Sequence, residues 1–232
     1  MKLMRVLIDS LAGGARRAEG TVVIIDVFRA FTTAAVALSR GATKIILVAG
    51  VDEALDIRNR GEAHIAIGEV AGTKPEGFDF GNSPFELSKA DVGGKILVQR
   101  TAAGTLGVTE ATNAVRTYAG SLIVAKPTIE ALLKDAPELV TIVAMGGDAV
   151  SRTDEDELCA LYMKNLLEGR APDPDAIKTL ILAGDQSAKY DDPAQPQYHP
   201  EDRDWALKID YLDFAIAVEN EDGLLVARPR RA

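Results

Sequence analysis

Residues 21–40 read TVVIIDVFRAFTTAAVALSR, and this stretch contains the two elements that decide the fold. Residues 21–27 form an apolar, β-branched run of the kind found in buried strands. Residues 30–40 follow as a helical pattern, which ends just before Gly41, a residue type that commonly follows the last turn of a helix. A buried strand that leads directly into a helix is the βα unit of a parallel sheet.

The same alternation continues on both sides of this unit. Further strands are predicted at residues 4–8, 44–49, 64–67, 95–99, 122–125 and 140–145. Further helices are predicted at residues 51–60, 105–114, 128–134, 155–168, 174–182 and 205–210. This order predicts an α/β protein with a mostly parallel sheet that is covered on both faces.

The last third of the chain has a different pattern. Residues 185–204 are polar and proline-rich without periodicity, and we expect them to cross the surface. Residues 214–219 and 224–228 flank the sequence NEDG at 220–223, which favours a β-hairpin because Asp-Gly tolerates positive φ. A C-terminal hairpin adds antiparallel strands, so the sheet is predicted to be mixed.

Length and composition indicate a globular protein. The 232 residues fit one α/β domain over 1–232, with two sub-lobes, about 1–120 and 121–232, as an alternative. The apolar runs are shorter than the roughly 20 residues of a membrane span, and the start of the chain lacks the layout of a secretory signal. We therefore expect a cytoplasmic protein without a membrane partner; the oligomeric state is left open, a homodimer included.

The charge balance limits the ligands. A net charge of −9 argues against a nucleic-acid partner, because phosphate contacts need a basic face. With the single Cys159 and only His64 and His199, a zinc site is not expected. Any metal is expected to have oxygen ligands, which favours Mg²⁺ or Mn²⁺. An acidic protein that binds an anion can gather positive charge with such a cation and a few arginines.

Chemistry-bearing residues follow four predicted strands, where open α/β sheets bind ligands. These segments are residues 26–33, 68–69, 100–105 and 146–148. Asp26 has an alternative role as a helix cap, and Arg29 as its surface partner. However, a carboxylate buried at the end of an apolar strand is costly without a partner or a metal. If the strands are parallel, these residues meet at one edge of the sheet.

Two loops have the composition of anion sites. The sequence GFDFGNSP at 77–84 specifies a fixed loop, with Ser83 as the cap of a short helix that begins at Pro84. Its free amides can hold an anion, and a plain turn with a cap is the alternative. The sequence RTAAGT at 100–105 lets the backbone approach a phosphate, which Arg100 can bind in a bidentate way.

Four consecutive acids, residues 154–157, open the helix predicted at 155–168. A capping box that begins at Thr153 and the helix dipole explain acids at this position. Four acids nevertheless exceed what a cap needs, and opposite residues 146–148 they are able to bind a cation. Cys159 follows and is expected to be a small buried side chain.

In this order, the motifs resemble the 2-phosphosulfolactate phosphatase family. The matching runs are DVFRA with TT at 26–33, GE at 68–69, GFDFGNSP at 77–84, TAAGT at 101–105, GG at 146–147, EDELCA at 155–160, HPED at 199–202 and YLDF at 211–214. The resemblance covers roughly residues 5–228. It implies a three-layer α/β/α fold with a mixed sheet. It also implies a phosphoric monoester hydrolase that uses Mg²⁺ to convert (R)-2-phospho-3-sulfolactate to 3-sulfolactate and phosphate in coenzyme M biosynthesis.

The resemblance and the composition together suggest residue roles. The predicted catalytic residues are Asp26, Arg29, Glu69 and Arg100. The predicted phosphate-binding residues are Thr32, Thr33, Asn82, Ser83, Thr101, Gly104, Thr105, Gly146 and Gly147. The predicted Mg²⁺ ligands are a subset of Asp26, Glu69, Asp79, Asp148, Glu155 and Asp156. Attack by water or by the Asp26 carboxylate is left open.

Three alternatives share the same anion site. One is a phosphatase for a different phosphorylated hydroxy acid. Another is a non-catalytic protein that binds a phosphometabolite, which would fit Ala103, since methanogen-like members have Asn at this point of the loop. A third is a sugar-phosphate isomerase, which would release no phosphate. Turnover of a generic phosphate ester with Mg²⁺ separates the first alternative from the other two.

Overall fold

A computed structural model describes residues 4–231 and contains one nine-stranded sheet with helices on both faces. The strands are β1 (Arg5–Ser10), β2 (Gly20–Ile25), β3 (Lys44–Val48), β4 (Ile65–Gly68), β5 (Ile96–Arg100), β6 (Ala114–Gly120), β7 (Leu139–Ala144), β8 (Ala215–Glu221) and β9 (Leu224–Arg230). The helices are α1 (Leu11–Arg17), α2 (Ala30–Ser39), α3 (Val51–Asn59), α4 (Pro84–Lys89), α5 (Gly104–Glu110), α6 (Ala125–Asp135), α7 (Asp154–Leu167), α8 (Pro174–Leu182), α9 (Asp185–Ala188) and α10 (Pro200–Ala206). Within residues 4–231, no helix has the length and apolar character to cross a membrane.

The predicted fold class is confirmed, but one strand was placed wrongly. Residues 122–125 are a 3₁₀ turn at Leu122–Val124 that leads into α6, and the strand before it is β6. The first four residues of β6 are not buried, so this strand lacks the continuous apolar run that marks the other strands. The turn residues Leu122–Val124 are also apolar and buried, and an apolar run of this length does not distinguish a strand from a buried turn.

The C-terminal hairpin lies in the middle of the sheet. The strand order is β1-β7-β2-β6-β8-β9-β3-β5-β4. The pairs β6–β8, β8–β9 and β9–β3 are antiparallel, whereas the strands within each flanking group are parallel. The two parallel groups therefore run in opposite directions. Strand β7, from the second half of the chain, lies between β1 and β2 of the first half.

The sheet bends around α2. Residues 30–38 of this helix are all buried. They share one apolar core with Ile24 of β2, Leu47 of β3 and Leu97 of β5, although β2 belongs to a different parallel group from β3 and β5. The opposite face of the sheet packs against α6 and α7 on one side of the hairpin and against α3 on the other, which gives three layers.

The strand ends were expected to meet because all of these strands were assumed to run in one direction, and the structure shows that this assumption is wrong. In a flat sheet, the ends of β2 and β5 would lie at opposite edges because the strands run in opposite directions. Here they meet beside the start of α2, where a Cβ added to Gly104, the first residue of α5, would lie 2.8 Å from Asp26 Oδ2. Only glycine fits at this contact, so the convergence depends on Gly104.

Candidate active site

The ends of four strands surround a cavity of about 250 Å³. Asp26 follows β2, Glu69 follows β4, Ala102 and Ala103 follow β5, and residues 146–148 follow β7. A cavity of this size suits a small metabolite. The convergence that the sequence predicted at these strand ends is therefore observed, although the two parallel groups of strands run in opposite directions.

Asp26 caps the following helix and lines the cavity at the same time. Its Oδ1 accepts a hydrogen bond from the Ala30 amide at 2.9 Å, in the first turn of α2. Burial raises the pKa of the Asp26 carboxyl to about 6, and the nearby charge of Glu69 adds to this effect. The cap and the cavity position, which appeared as alternatives in the sequence, are both present.

Glu69 connects two loops at the opposite wall. The carboxylate is buried, and its Oε1 accepts from the Ala102 amide at 2.6 Å while its Oε2 accepts from the Gly72 amide at 2.8 Å. Arg100 stabilises this loop through contacts with its backbone. Its guanidinium donates to the Ala49 and Glu69 carbonyl oxygens at 3.0 and 2.6 Å, and it does not line the cavity.

Arg29 is a buried cation with a buried partner. Its side chain is 3% exposed, and Nη1 donates to Asp202 Oδ2 at 2.6 Å and to the Gln197 carbonyl at 2.9 Å. The guanidinium also packs over the Tyr198 ring, 4.7 Å from its centroid. The surface pairing of Arg29 with Asp26 that the sequence left open is not formed.

Asp202 is fully buried and joins three segments. Beside Arg29, it accepts from Ser83 Oγ at 2.6 Å and from the Phe85 amide at 3.0 Å. Ser83 Oγ also accepts from the Glu86 amide, so the predicted cap of α4 is present. The preceding residue, Asn82, lines the cavity, and its buried Oδ1 has no hydrogen-bond partner within residues 4–231.

Two acids of α7 lie behind the cavity wall. Asp156 accepts from the Val27 amide at 2.7 Å and from the Gly146 amide at 2.8 Å, which ties the ends of β2 and β7 together. Burial raises the pKa of the Glu155 carboxyl to about 7 and that of Asp156 well above its usual value, and the charge of Asp26 contributes to both shifts. Three carboxyl groups are therefore crowded here, and their raised pKa values favour the protonated forms.

Several predicted phosphate-binding residues stabilise the backbone instead of lining the cavity. Thr105 Oγ1 accepts from the Thr101 amide at 2.8 Å, and Thr101 Oγ1 accepts from the Thr105 amide at 3.1 Å, at the start of α5. Thr32 Oγ1 donates to the Val27 carbonyl at 2.8 Å. Thr33 is buried, and it does not line the cavity. Gly146 and Gly147 do line it.

Residues 185–204 supply part of the cavity wall, although we predicted only a surface segment there. This segment contains α9, a 3₁₀ turn at Lys189–Asp191 and most of α10. It contributes Gln186, Lys189 and Tyr198 to the cavity, and Asp202 to Arg29. Its polar composition is typical of a surface loop, and only the HPED motif at 199–202, which matches the family, indicated a functional role.

The acidic residues fit an open cation site rather than a closed one. Within residues 4–231, no three Asp, Glu, His or Cys side chains are arranged to enclose a metal ion. Asp79 lies outside the cavity, where it accepts from the Ala66 amide at 2.7 Å and pairs with Arg58. Asp26, Glu69 and Asp148 do line it. Mg²⁺ in phosphate-handling enzymes is commonly held by one or two carboxylates, waters and the substrate phosphate, and these residues fit that arrangement.

The fold and the cavity define an α/β protein with a polar cavity at its strand ends, the position at which such sheets bind ligands. The chain belongs to the 2-phosphosulpholactate phosphatase family, whose profile matches residues 8–197. By family it is a phosphoric monoester hydrolase, and the resemblance seen in the motifs is confirmed.

Three relatives carry the name probable 2-phosphosulfolactate phosphatase. The protein of Caldicellulosiruptor saccharolyticus is 37% identical over 159 residues, 67% of this chain and 65% of that protein, slightly less than two thirds of its length. The Bacillus subtilis protein is 30% identical over 203 residues, 86% of this chain and 87% of that protein. The Thermoplasma volcanium protein is 30% identical over 191 residues, 82% and 85% of the two chains.

Proposed function

We propose that this protein is a Mg²⁺-dependent phosphatase that hydrolyses 2-phospho-3-sulfolactate to 3-sulfolactate and phosphate. The observation that carries the proposal is the cavity in which Asp26, Glu69 and Arg29 lie together, in a chain of this family. The substrate is proposed because the relatives carry the name probable 2-phosphosulfolactate phosphatase. A phosphatase for a different phosphorylated hydroxy acid is the second candidate, because the cavity would accept either.

Electrostatics support a cation at this site. A phosphate dianion would be repelled by Asp26, Glu69 and Asp148, which all line the cavity. One or two of these carboxylates would hold Mg²⁺ together with waters and the substrate phosphate. When bound, the ion supplies charge neutralisation and a lowered pKa for an attacking water.

The chain itself binds and orients the ester. Arg29 is fixed by Asp202 and by the Gln197 carbonyl, so its guanidinium is held ready for the phosphoryl oxygens without a further loss of side-chain entropy. The Ala30 amide fixes the rotamer of Asp26. The Asn82 amide group, buried and without a partner for its oxygen within residues 4–231, is placed to contact the ligand.

Water and the Asp26 carboxylate are the two candidate nucleophiles. Acid quenching during a single turnover, with enzyme in excess, separates them. Attack by water gives phosphate directly and leaves the enzyme unmodified. Attack by the Asp26 carboxylate releases the alcohol and forms a phospho-aspartate, which water then hydrolyses to phosphate. A trapped phospho-enzyme would establish the covalent route.

The proposal is tested by a phosphate-release screen over small phosphorylated acids, with Mg²⁺ and after exhaustive chelation. We expect release from 2-phospho-3-sulfolactate with Mg²⁺ and its loss after chelation, with recovery when Mg²⁺ is added back. Full release without a divalent cation would contradict the metal part of the proposal. No release from any ester would favour the non-catalytic binding protein.

We also propose a pathway, a cellular location and an oligomeric state for the protein. Use of the product in coenzyme M biosynthesis is inferred from the family resemblance alone. The cytoplasmic location and the homodimer stay predictions. Size-exclusion chromatography with light scattering tests the homodimer, and cell fractionation tests the location.

A further inference from the structure

Within residues 4–231, the cavity contains a second cation that forms no ion pair. Lys189 begins the 3₁₀ turn Lys189–Asp191 and lines the cavity. Its Nζ donates to the neutral Gln186 Oε1 at 3.0 Å, and among residues 4–231 it forms no ion pair. An ammonium group has three donors, so Nζ has capacity for a ligand.

Lys189 and Arg29 are held against the same aromatic ring. The Nζ atom of Lys189 lies 4.8 Å from the centroid of the Tyr198 ring, and the Arg29 guanidinium carbon lies 4.7 Å from it. The two cations are thus neighbours, but their circumstances differ. Arg29 already has Asp202 as a partner, whereas the carboxylates that favour the Lys189 charge, first among them Glu155, act on it without direct contact.

This arrangement fits a ligand with two anionic groups a few atoms apart. A partly buried cation without a contacting carboxylate costs desolvation free energy, which an anionic ligand would offset. One anionic group at Arg29 and another at Lys189 would both be satisfied without displacing a protein ion pair. A ligand with a single anionic group would leave Lys189 unpaired.

We propose that Lys189 binds the acidic group that the substrate carries beside its phosphate, a carboxylate or a sulfonate, while Arg29 binds the phosphoryl group. This rests on the proposed function for the phosphoryl half of the ligand. It makes Lys189 a specificity-determining residue, and it makes residues 185–204 the part of the chain that selects acidic esters over neutral ones.

The test compares three esters that differ in their acidic groups: 2-phospho-3-sulfolactate, 2-phospholactate and isopropyl phosphate. Lys189→Met keeps the length of the side chain and removes its charge, and Lys189→Arg keeps the charge. Lys178→Met is the matched control, because Lys178 is exposed on α8 outside the cavity. For each variant, kcat/KM is measured on all three esters.

We expect Lys189→Met to lower kcat/KM for the acidic esters about 10- to 100-fold more than for isopropyl phosphate, the range of a hydrogen-bonded charge contact. Lys189→Arg should keep most of the preference, and Lys178→Met should not change it. A selective loss with 2-phospholactate assigns the carboxylate, and a loss confined to the sulfonated ester assigns the sulfonate. An equal loss on all three esters, or no loss of preference, would overturn the proposal.

A binding measurement separates this proposal from the phosphatase activity. Titration calorimetry with 3-sulfolactate needs no turnover, so it remains informative if no ester is hydrolysed. We expect the Kd of 3-sulfolactate to rise at least about 10-fold in Lys189→Met, with a melting temperature no lower than that of the wild type. Equal Kd values in the wild type and in this variant would overturn the role of Lys189 even if the protein is a phosphatase.

Discussion

Asp26 has two roles that its local sequence presents as alternatives. The strand-helix junction requires an acceptor for the Ala30 amide, and the same carboxylate faces the cavity. Its position after an apolar strand was enough to predict a functional acid. The sequence did not indicate how far its pKa would shift, because the shift depends on burial in the folded chain and on Glu69, which is distant along the chain.

The shifted pKa of Asp26 makes the stability of Asp26→Asn dependent on pH. Because the folded state raises this pKa from 3.8 to about 6, the ionised carboxylate destabilises the fold as pH rises through that window. The variant lacks this charge, so its melting temperature should rise relative to that of the wild type as pH increases from about 4 to about 7. The corresponding gain in the free energy of unfolding is expected to be about 3 kcal/mol, because one pKa unit corresponds to about 1.4 kcal/mol. Metal-free melting curves across this range test it, and a difference that does not vary with pH would contradict it.

The proposed phosphate binding by Arg29 depends on the planar, forked shape of its guanidinium group. We expect Arg29→Lys to lower kcat/KM by at least about 10-fold, because an ammonium group does not reproduce a bidentate grip on phosphate while it also contacts Asp202 and the Gln197 carbonyl. Steady-state phosphate release measures this, with melting as a check of the fold. A folded variant with the wild-type kcat/KM would exclude Arg29 from phosphate binding.

At the level of elements, the segment 185–204 was the least predictable. Its composition is typical of a surface loop, yet it carries Lys189 and Tyr198 into the cavity. Nothing in its local pattern shows this, because the contacts join residues far apart in the chain, such as Asp202 with Arg29 and with Ser83. The bounds of helices α2 and α7 were by contrast predicted to within one residue at each end.

Asp202→Asn tests how this segment is attached. The change leaves the buried Arg29 without a charged partner, and breaking a buried ion pair costs about 3–5 kcal/mol. We expect a clearly lower melting temperature and a higher KM for the ester. Glu62→Gln, in the exposed pair with Arg60, is the control and should change stability by less than about 1 kcal/mol. Equal effects of the two variants would contradict the attachment.

At the level of the whole molecule, the position of the hairpin could not be predicted from the sequence. The NEDG turn identified the hairpin itself, but its location between β6 and β3 is set by pairings across the whole chain. Local patterns do not encode such pairings. For this reason the meeting of the strand ends was predicted from an assumed common direction, whereas the structure brings them together by bending around α2.

The central hairpin makes the C-terminus necessary for folding. A chain that ends at Asp213 would lack β8 and β9, and it would leave one edge of β6 and one edge of β3 unpaired in the middle of the sheet. We expect no cooperative thermal transition for it, although the match to the family profile ends earlier, at residue 197. Circular dichroism and calorimetry measure this. A cooperative transition near the wild-type temperature would show that the two parallel groups fold without the hairpin.

The most direct test of the account is phosphate release from 2-phospho-3-sulfolactate by the wild type and by Asp26→Asn, with Mg²⁺, on preparations whose melting has been checked. Asn keeps an oxygen that can accept from the Ala30 amide, so a purely structural Asp26 would tolerate the change. The account predicts that the variant folds and that its turnover falls at least about 100-fold, because the lost carboxylate serves the cation or attacks phosphorus. A folded variant with the wild-type rate would contradict the placement of the active site at Asp26.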